Sequence, residues 1–432
     1  MPNRNTIEWL IGVLLVGALA AIAPRALSPI AKPEEVGLST ERLKRIGELM
    51  QRHIEARTFS GAVTLVARGG RIAHFEARGL MDIDSKKPMQ KDTIFRIMSM
   101  TKPIVGVSIL MMMEEGKVRL TDPVSRFIPE LRGLKVAVPD GSHETAPVGA
   151  PASAPPRFHT VPAEREITIR DLLTHTSGLM SGGISSSQAR AISAKAGETL
   201  AQVLPRLASA PLDFQPGTRW AYSAQYGFDT LVRIVEVVSG IPFDQFAKQR
   251  IFDPLAMKDT FFYPAENPRV VTLYQRADGA LRKQLNPTFM NGAYFSGGGG
   301  LFSTAEDYLQ FAQMLLNGGQ LSGKRLVSPR GVELMASVFV PETLPGRVPG
   351  EGYGLSVRVV SDPAARNTFL SKGSFGWSGA YNTHFWVDPK EKIVGILMTQ
   401  TANLEIRGEV RNDFENAVMQ AIVGAAPGPG TN

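Results

Sequence analysis

The chain of 432 residues contains no cysteine. That absence removes disulfides, thiolate zinc sites and cysteine nucleophiles together, so the core alone has to hold the fold. Histidine is sparse as well. The six present, His53, His74, His143, His159, His175 and His384, form no HExxH pair or other close ligand spacing, so neither a metal nor another cofactor is expected. No dense Lys/Arg block occurs, and the net charge of +7 reads as a scattered basic surface with no nucleic-acid partner. A G-x-S-x-G elbow is missing, which counts against an α/β-hydrolase. The stretch GGQLSGKR, Gly318 to Arg325, approaches a phosphate-binding loop, but Arg325 stands where a magnesium-binding hydroxyl belongs and the glycines follow a helical pattern.

Long hydrophobic runs are scarce too. The exception is Trp9 to Ala23, preceded by Arg4 and containing the small-x-small site Ala18-Leu19-Ala20. It is shorter than the ~18 residues that a membrane span needs. Residues 1–20 therefore read as a secretory signal, ahead of an uncleaved anchor, and the protein is expected in the periplasm or secreted, with no integral span after cleavage. With 43% hydrophobic and 20% charged residues, the remainder has the composition of an ordinary globular protein.

After a linker over residues 21–38, Leu43, Ile46, Met50 and Ile54 recur at helical spacing, with Ser39 placed to cap the helix. Two strand-like runs joined at Gly69-Gly70 then predict an antiparallel hairpin. A helix opens near Ser99 and runs to Gly116. Residues 132–165, rich in Pro, Ala, Gly and Thr, are expected to form a long surface loop. Helical segments follow from Ile169 to about Phe246. The run Gly297 to Gly300 reads as a tight turn, and Ser303 with Glu306 as the capping box of the next helix. Strands return in YGLSVRVV, YNTHFWVD and KIVGILMTQT. A last helix from about Glu409 to Val423 precedes a disordered tail, 425–432.

Strands at both ends and helices between them predict one α+β domain over 39–424. Its antiparallel sheet, flanked by helices, comes from about 39–131 and 295–424, with a mostly helical insertion over 132–294. A cleft between the two parts is the default site.

In SMTK, Ser99 and Lys102 lie three apart at a helix start and share one face. Backbone N–H groups there stabilise developing negative charge, and a desolvated lysine one turn on can take the serine proton. Two further segments follow in order: WAYSAQYGF places Tyr222 in a loop before a helix, and GSFGWSGAY places Trp377-Ser378-Gly379 at a strand start. With DLLTHTSGL around His175, they resemble the serine β-lactamase and penicillin-binding-protein superfamily, closest to its class C branch and the family VIII carboxylesterases of the EstB type. The resemblance covers residues 39–424 and implies a β-lactamase-like fold. It makes Ser99 the acylated nucleophile, Lys102 its base or proton relay, and Tyr222 the partner in proton transfer. Trp377, Ser378 and Gly379 stand where relatives carry K-T-G, H-x-G or W-x-G and bind substrate there. The same resemblance implies that the N–H groups of Ser99 and Ala380 complete an oxyanion hole. His175 is expected to be structural.

This sequence departs from class C β-lactamases twice. Ala224 stands where Y-x-N enzymes carry asparagine, and Trp377 replaces the lysine that faces the drug's carboxylate. Each lost polar contact is worth about 1–3 kcal/mol. The expected substrate is accordingly a small-molecule ester, with a β-lactam as the alternative. A carboxylesterase of short or medium acyl esters stands first. A β-lactamase, D-peptidase or transesterase on the same scaffold is second, and a non-catalytic cell-wall binding protein is remote.

Overall fold

The computed structural model describes residues 29–140, 157–264, 266–284, 292–402 and 406–426. The apolar run at Trp9, the centre of the long-loop region and the end of the tail lie outside them. Among the described residues no helix is long and apolar enough to cross a membrane.

The centre of the molecule is an 8-stranded sheet whose ladders are all antiparallel. From the N-terminal part come β1 (Gly61–Arg68), β2 (Arg71–Asp82) and the short β3 (Lys87–Pro88). From the C-terminal part come β4 (Glu351–Tyr353), β5 (Arg358–Val360), β6 (Phe375–Ser378), β7 (His384–Asp388) and β8 (Ile393–Met398). The order is β4-β5-β6-β7-β8-β1-β2-β3. The two ends of the chain meet where β1 pairs with β8, Val63 opposite Met398.

Both faces of the sheet are covered, and the strand period shows how. In β1, Val63, Leu65 and Ala67 point into one core while Val66 points into the other; in β8, Val394, Ile396 and Met398 alternate with Ile393 and Leu397 in the same way. Helices α1 (Thr40–Glu55) and α5 (Arg407–Met419) close one face with Leu43, Ile46, Phe414 and Val418. Ser39 caps α1 by accepting from the Arg42 N–H. Helices α2 (Thr101–Glu114) and α4 (Ala305–Leu316) lie in the core of the other face, with α3 (Tyr226–Ser239) beyond α2. From Thr101 to Met112 every residue of α2 is buried, as expected of a helix that is apolar all round.

Four local expectations need correction. The cap of α4 is Thr304, which accepts from the Asp307 N–H; Ser303 is committed to a bridge with Phe95, so the Ser303–Glu306 pair forms no capping box. The ends of the long-loop region, Lys135–Pro139 and Phe158–Pro162, pair as two strands whose alternation is too short to stand out among prolines. The YGLSVRVV stretch is broken in two, because Ser356 adopts a left-handed φ of 67° between β4 and β5. Finally, Trp377 and Ser378 end β6 rather than start it; the strand begins at Phe375, inside a Gly/Ser-rich stretch that reads as loop.

Candidate active site

Ser99 sits in a single 3₁₀ turn, Met98–Met100, that leads directly into α2. Met98, just before it, has φ 49°, a left-handed conformation that costs a non-glycine residue about 1–2 kcal/mol. Such strain persists only where the surroundings impose it. The Ser99 hydroxyl does not cap the helix. Its Oγ lies 2.8 Å from the Tyr222 hydroxyl, which donates to it, and 3.2 Å from Lys102 Nζ.

Lys102 is fully buried. An amine in an apolar helix is tolerated only with partners, and Nζ donates to the carbonyls of Ala224 (2.6 Å) and Gly298 (2.7 Å). Carbonyl oxygens can only accept, so two N–H groups are committed. The third tetrahedral position faces Ser99 Oγ, carrying a proton in the ammonium form and a lone pair in the amine. The rings of Tyr222 and Phe228 pack at 4.9 and 5.3 Å from Nζ.

The tyrosine loop is held by His175. The His175 carbonyl accepts from the Ala221 N–H (3.1 Å), its Nδ1 accepts from the Ser223 N–H (3.2 Å), and its ring lies 4.6 Å from that of Tyr222. Burial pushes the imidazole far below its usual pKa, so it is neutral and structural. The glycine run at 297–300 does more than turn the chain. A Cβ on Gly298 would lie 2.7 Å from Gln225 Cα, so only glycine lets this segment reach the start of α3 and offer its carbonyl to Lys102. Asp229, fully buried on α3, clamps that segment from behind. Its carboxylate accepts from the Tyr294 hydroxyl (2.7 Å), the Ser296 hydroxyl (2.8 Å) and the Gly298 N–H (3.1 Å). Burial raises its pKa, and those donors oppose the rise.

Opposite the turn that carries Ser99, β6 ends at Ser378. A Cβ on Gly379 would lie 2.1 Å from Thr383 Oγ1 and 2.4 Å from the Ile97 carbonyl. Glycine is therefore required to bring this strand end against the turn that carries Ser99. The Ala380 N–H meets no acceptor among the described residues. Ser378 donates its hydroxyl to His384 Nδ1 (2.9 Å), whose Nε2–H donates to Glu415 (3.0 Å). Glu415 also accepts from Arg358 (2.9 Å). Ser99, Tyr222, Trp377, Ser378, Gly379 and Ala380 line one cavity of about 600 Å³. Its aromatic wall is built from Trp220, Tyr222 and Trp377, with Tyr222 and Trp377 rings 5.7 Å apart.

Every residue singled out in the sequence is thus brought to one place, Lys102 directly beneath Ser99. The carbonyls of Ala224 and Gly298, the Asp229 clamp and the guanidinium of Arg411 in the cavity wall were not singled out. An aspartate amid the apolar residues of GFDTLV was the one available signal.

The family model described as Beta-lactamase matches residues 46–419. The chain belongs to that family. It is 31% identical to Esterase EstB of Burkholderia gladioli, over 87% of this chain and 94% of that one. Protein Rv1367c of Mycobacterium tuberculosis is 36% identical, over 80% of this chain and 87% of its own length. Among solved structures, that of "EstCE1, a hydrolase with promiscuous acyltransferase activity" superposes with a TM-score of 0.73 at 28% identity, covering 88% of this chain and 99% of that one. The β-lactamase-like fold and an enzyme of the serine hydrolase class follow from this membership.

Proposed function

We propose that the protein hydrolyses carboxylic esters of short or medium acyl chains through an acyl-enzyme on Ser99. The observation that carries this reading is the convergence of Tyr222 Oη and Lys102 Nζ on Ser99 Oγ. In the first half-reaction Oγ attacks the ester carbonyl carbon while its proton passes to the Lys102 lone pair. The carbonyl oxygen, now negative, lies against the N–H groups of Ser99 and Ala380. The carbon–oxygen bond to the alcohol then breaks, and the alcohol oxygen takes a proton relayed from Lys102 through Tyr222. Water repeats the sequence on the acyl-enzyme, releasing the acid and restoring Ser99. An acyltransferase would differ only in that an alcohol replaces water.

Ala224 and Trp377, in place of the asparagine and lysine of class C β-lactamases, favour esters over β-lactams. The esterase names of EstB and of the Lovastatin esterase of Penicillium rubens, 28% identical, lean the same way. The test compares hydrolysis of p-nitrophenyl butyrate and a chromogenic cephalosporin by the native protein and Ser99→Ala. Turnover of the ester, little of the cephalosporin, and a loss of about 10³-fold or more in the variant are expected. A better rate on the cephalosporin would make it a β-lactamase, and failure of a fluorophosphonate to label Ser99 would leave only a binding protein. Export is part of the same proposal, and the N-terminal sequence of the mature protein tests it.

A further inference from the structure

Beside β5 and β6 lies a buried charge cluster in which cations outnumber anions. Glu351 is shared by Arg347 (3.2 Å), Arg358 (3.6 Å) and Arg366 (3.1 Å), and Glu415 pairs with Arg358 (2.9 Å). Arg411, on α5 one turn before Glu415, is the fourth guanidinium; Arg358, Arg366, Glu415 and Glu351 all act on it electrostatically. His384 does not add to the positive charge, because burial pulls its pKa down to about 4. Four guanidiniums therefore face two carboxylates.

Arg411 carries the imbalance. No hydrogen bond or ion pair engages it among the described residues, and its Nε is buried without a partner. Burial and the neighbouring Arg358 hold the guanidinium down at about 9. Glu415 and Glu351 reach this part-buried guanidinium electrostatically but not through a hydrogen bond, and an anion in the cavity completes the hydrogen bonds it lacks. Arg411 lines the same cavity as Ser99, beyond Ser378 and His384, and among the described residues lining it there is no Asp or Glu.

We infer that Arg411 forms an anion subsite of the reaction cavity and that the preferred ester bears a carboxylate, placed to reach this guanidinium while its carbonyl carbon meets Ser99. The inference rests on the esterase reading above and adds a substrate class to it. It also gives a charge to the small-molecule ester expected from the sequence. Trp377 withholds a cation at the end of β6, whereas α5 supplies one from the other side of that strand end.

The experiment uses two matched pairs of esters: p-nitrophenyl hemiglutarate against p-nitrophenyl butyrate, and the butyrate ester of 4-hydroxybenzoate against phenyl butyrate. The first pair places the carboxylate on the acyl side, the second on the alcohol side. In at least one pair the ratio of kcat/KM, acid over neutral, is expected to fall about 10-fold from the native protein to Arg411→Gln, with Arg411→Lys between. Ratios unchanged in both pairs overturn the inference while leaving the esterase reading intact. If butyrate is not hydrolysed at all, the esterase reading fails by itself, and melting with added glutarate decides the subsite without turnover. Glutarate raising the Tm of the native protein and not of Arg411→Gln supports it; equal responses overturn it.

Discussion

Replacing Asp229 with alanine tests how far the reacting groups depend on a residue that touches neither Ser99 nor Lys102. Three buried donors lose their acceptor: the Tyr294 and Ser296 hydroxyls and the Gly298 N–H. Each unsatisfied buried donor costs about 1–3 kcal/mol. The losses are not additive within one network, and removing the carboxylate also removes the cost of burying it, so a net destabilisation of about 3–5 kcal/mol is expected. Function should suffer separately, because the Gly298 peptide that Asp229 holds by its N–H offers its carbonyl to Lys102 Nζ. With that peptide released, Nζ keeps the Ala224 carbonyl alone and its third position no longer points steadily at Ser99 Oγ. A fall in kcat of about 10-fold or more with little change in KM is the expected signature. Urea unfolding and p-nitrophenyl butyrate kinetics on Asp229→Ala and Asp229→Asn provide the two readouts. Asparagine retains an oxygen for the Ser296 and Gly298 donors and should lose less of both. A stability change below about 1 kcal/mol together with a normal kcat in the alanine variant would refute the argument.

Further outcomes follow from the same geometry. In Gly379→Ala the new methyl cannot coexist with Thr383 Oγ1 and the Ile97 carbonyl, so the end of β6 must retreat from the nucleophile turn; kcat should drop about 10²-fold, and a normal kcat would show that the strand end is not what aligns the ester. Glu415→Gln leaves Arg358 with a weaker partner in a buried site and should cost about 3 kcal/mol in urea unfolding, against no change if the pair is immaterial. Stability should also rise with pH between about 4 and 6.5, where urea midpoints at pH 5 and pH 7 provide the measurement. His74 and His384 are both pulled down to about 4, chiefly by burial. In that window the unfolded chain binds protons that the folded one refuses, so their contribution is full above the ordinary histidine pKa and lost as pH falls toward 4. Each histidine is worth up to about 3 kcal/mol, and equal midpoints at the two pH values would contradict the assignment.

The clustering of Ser99, Lys102, Tyr222 and Trp377 was legible because Ser99 and Lys102 are close in sequence and a lysine is unusual in an apolar helix. A lysine one turn past a serine in an apolar helix needs partners that the helix itself does not supply, and Tyr222 and Trp377 follow in a recognisable order. The sheet was legible for a different reason: runs such as KIVGILMTQT have to bury both faces, and strands at the two chain ends can do so only together. What supports the site was hidden because it acts through backbone. The Gly298 and Ala224 carbonyls carry no side-chain signature. Arg411 was hidden because a lone arginine on an amphipathic helix reads as its wet face, and only the packing of α5 against the sheet makes it part of a cavity wall. The misplaced cap at Ser303 had the same origin: which of two adjacent hydroxyl residues caps a helix depends on whether a distant strand, here at Phe95, has already taken the backbone of one.

Lys102 ties together segments 122 and 196 residues further along the chain, those of Ala224 and Gly298. A descendant that gave up chemistry could discard Ser99 or Tyr222 at little structural expense. It could not discard the lysine without stranding two buried carbonyls in the middle of the molecule. Persistence of the lysine in such a lineage would record what the architecture demands, and the serine and tyrosine would be the residues whose loss marks a retired enzyme.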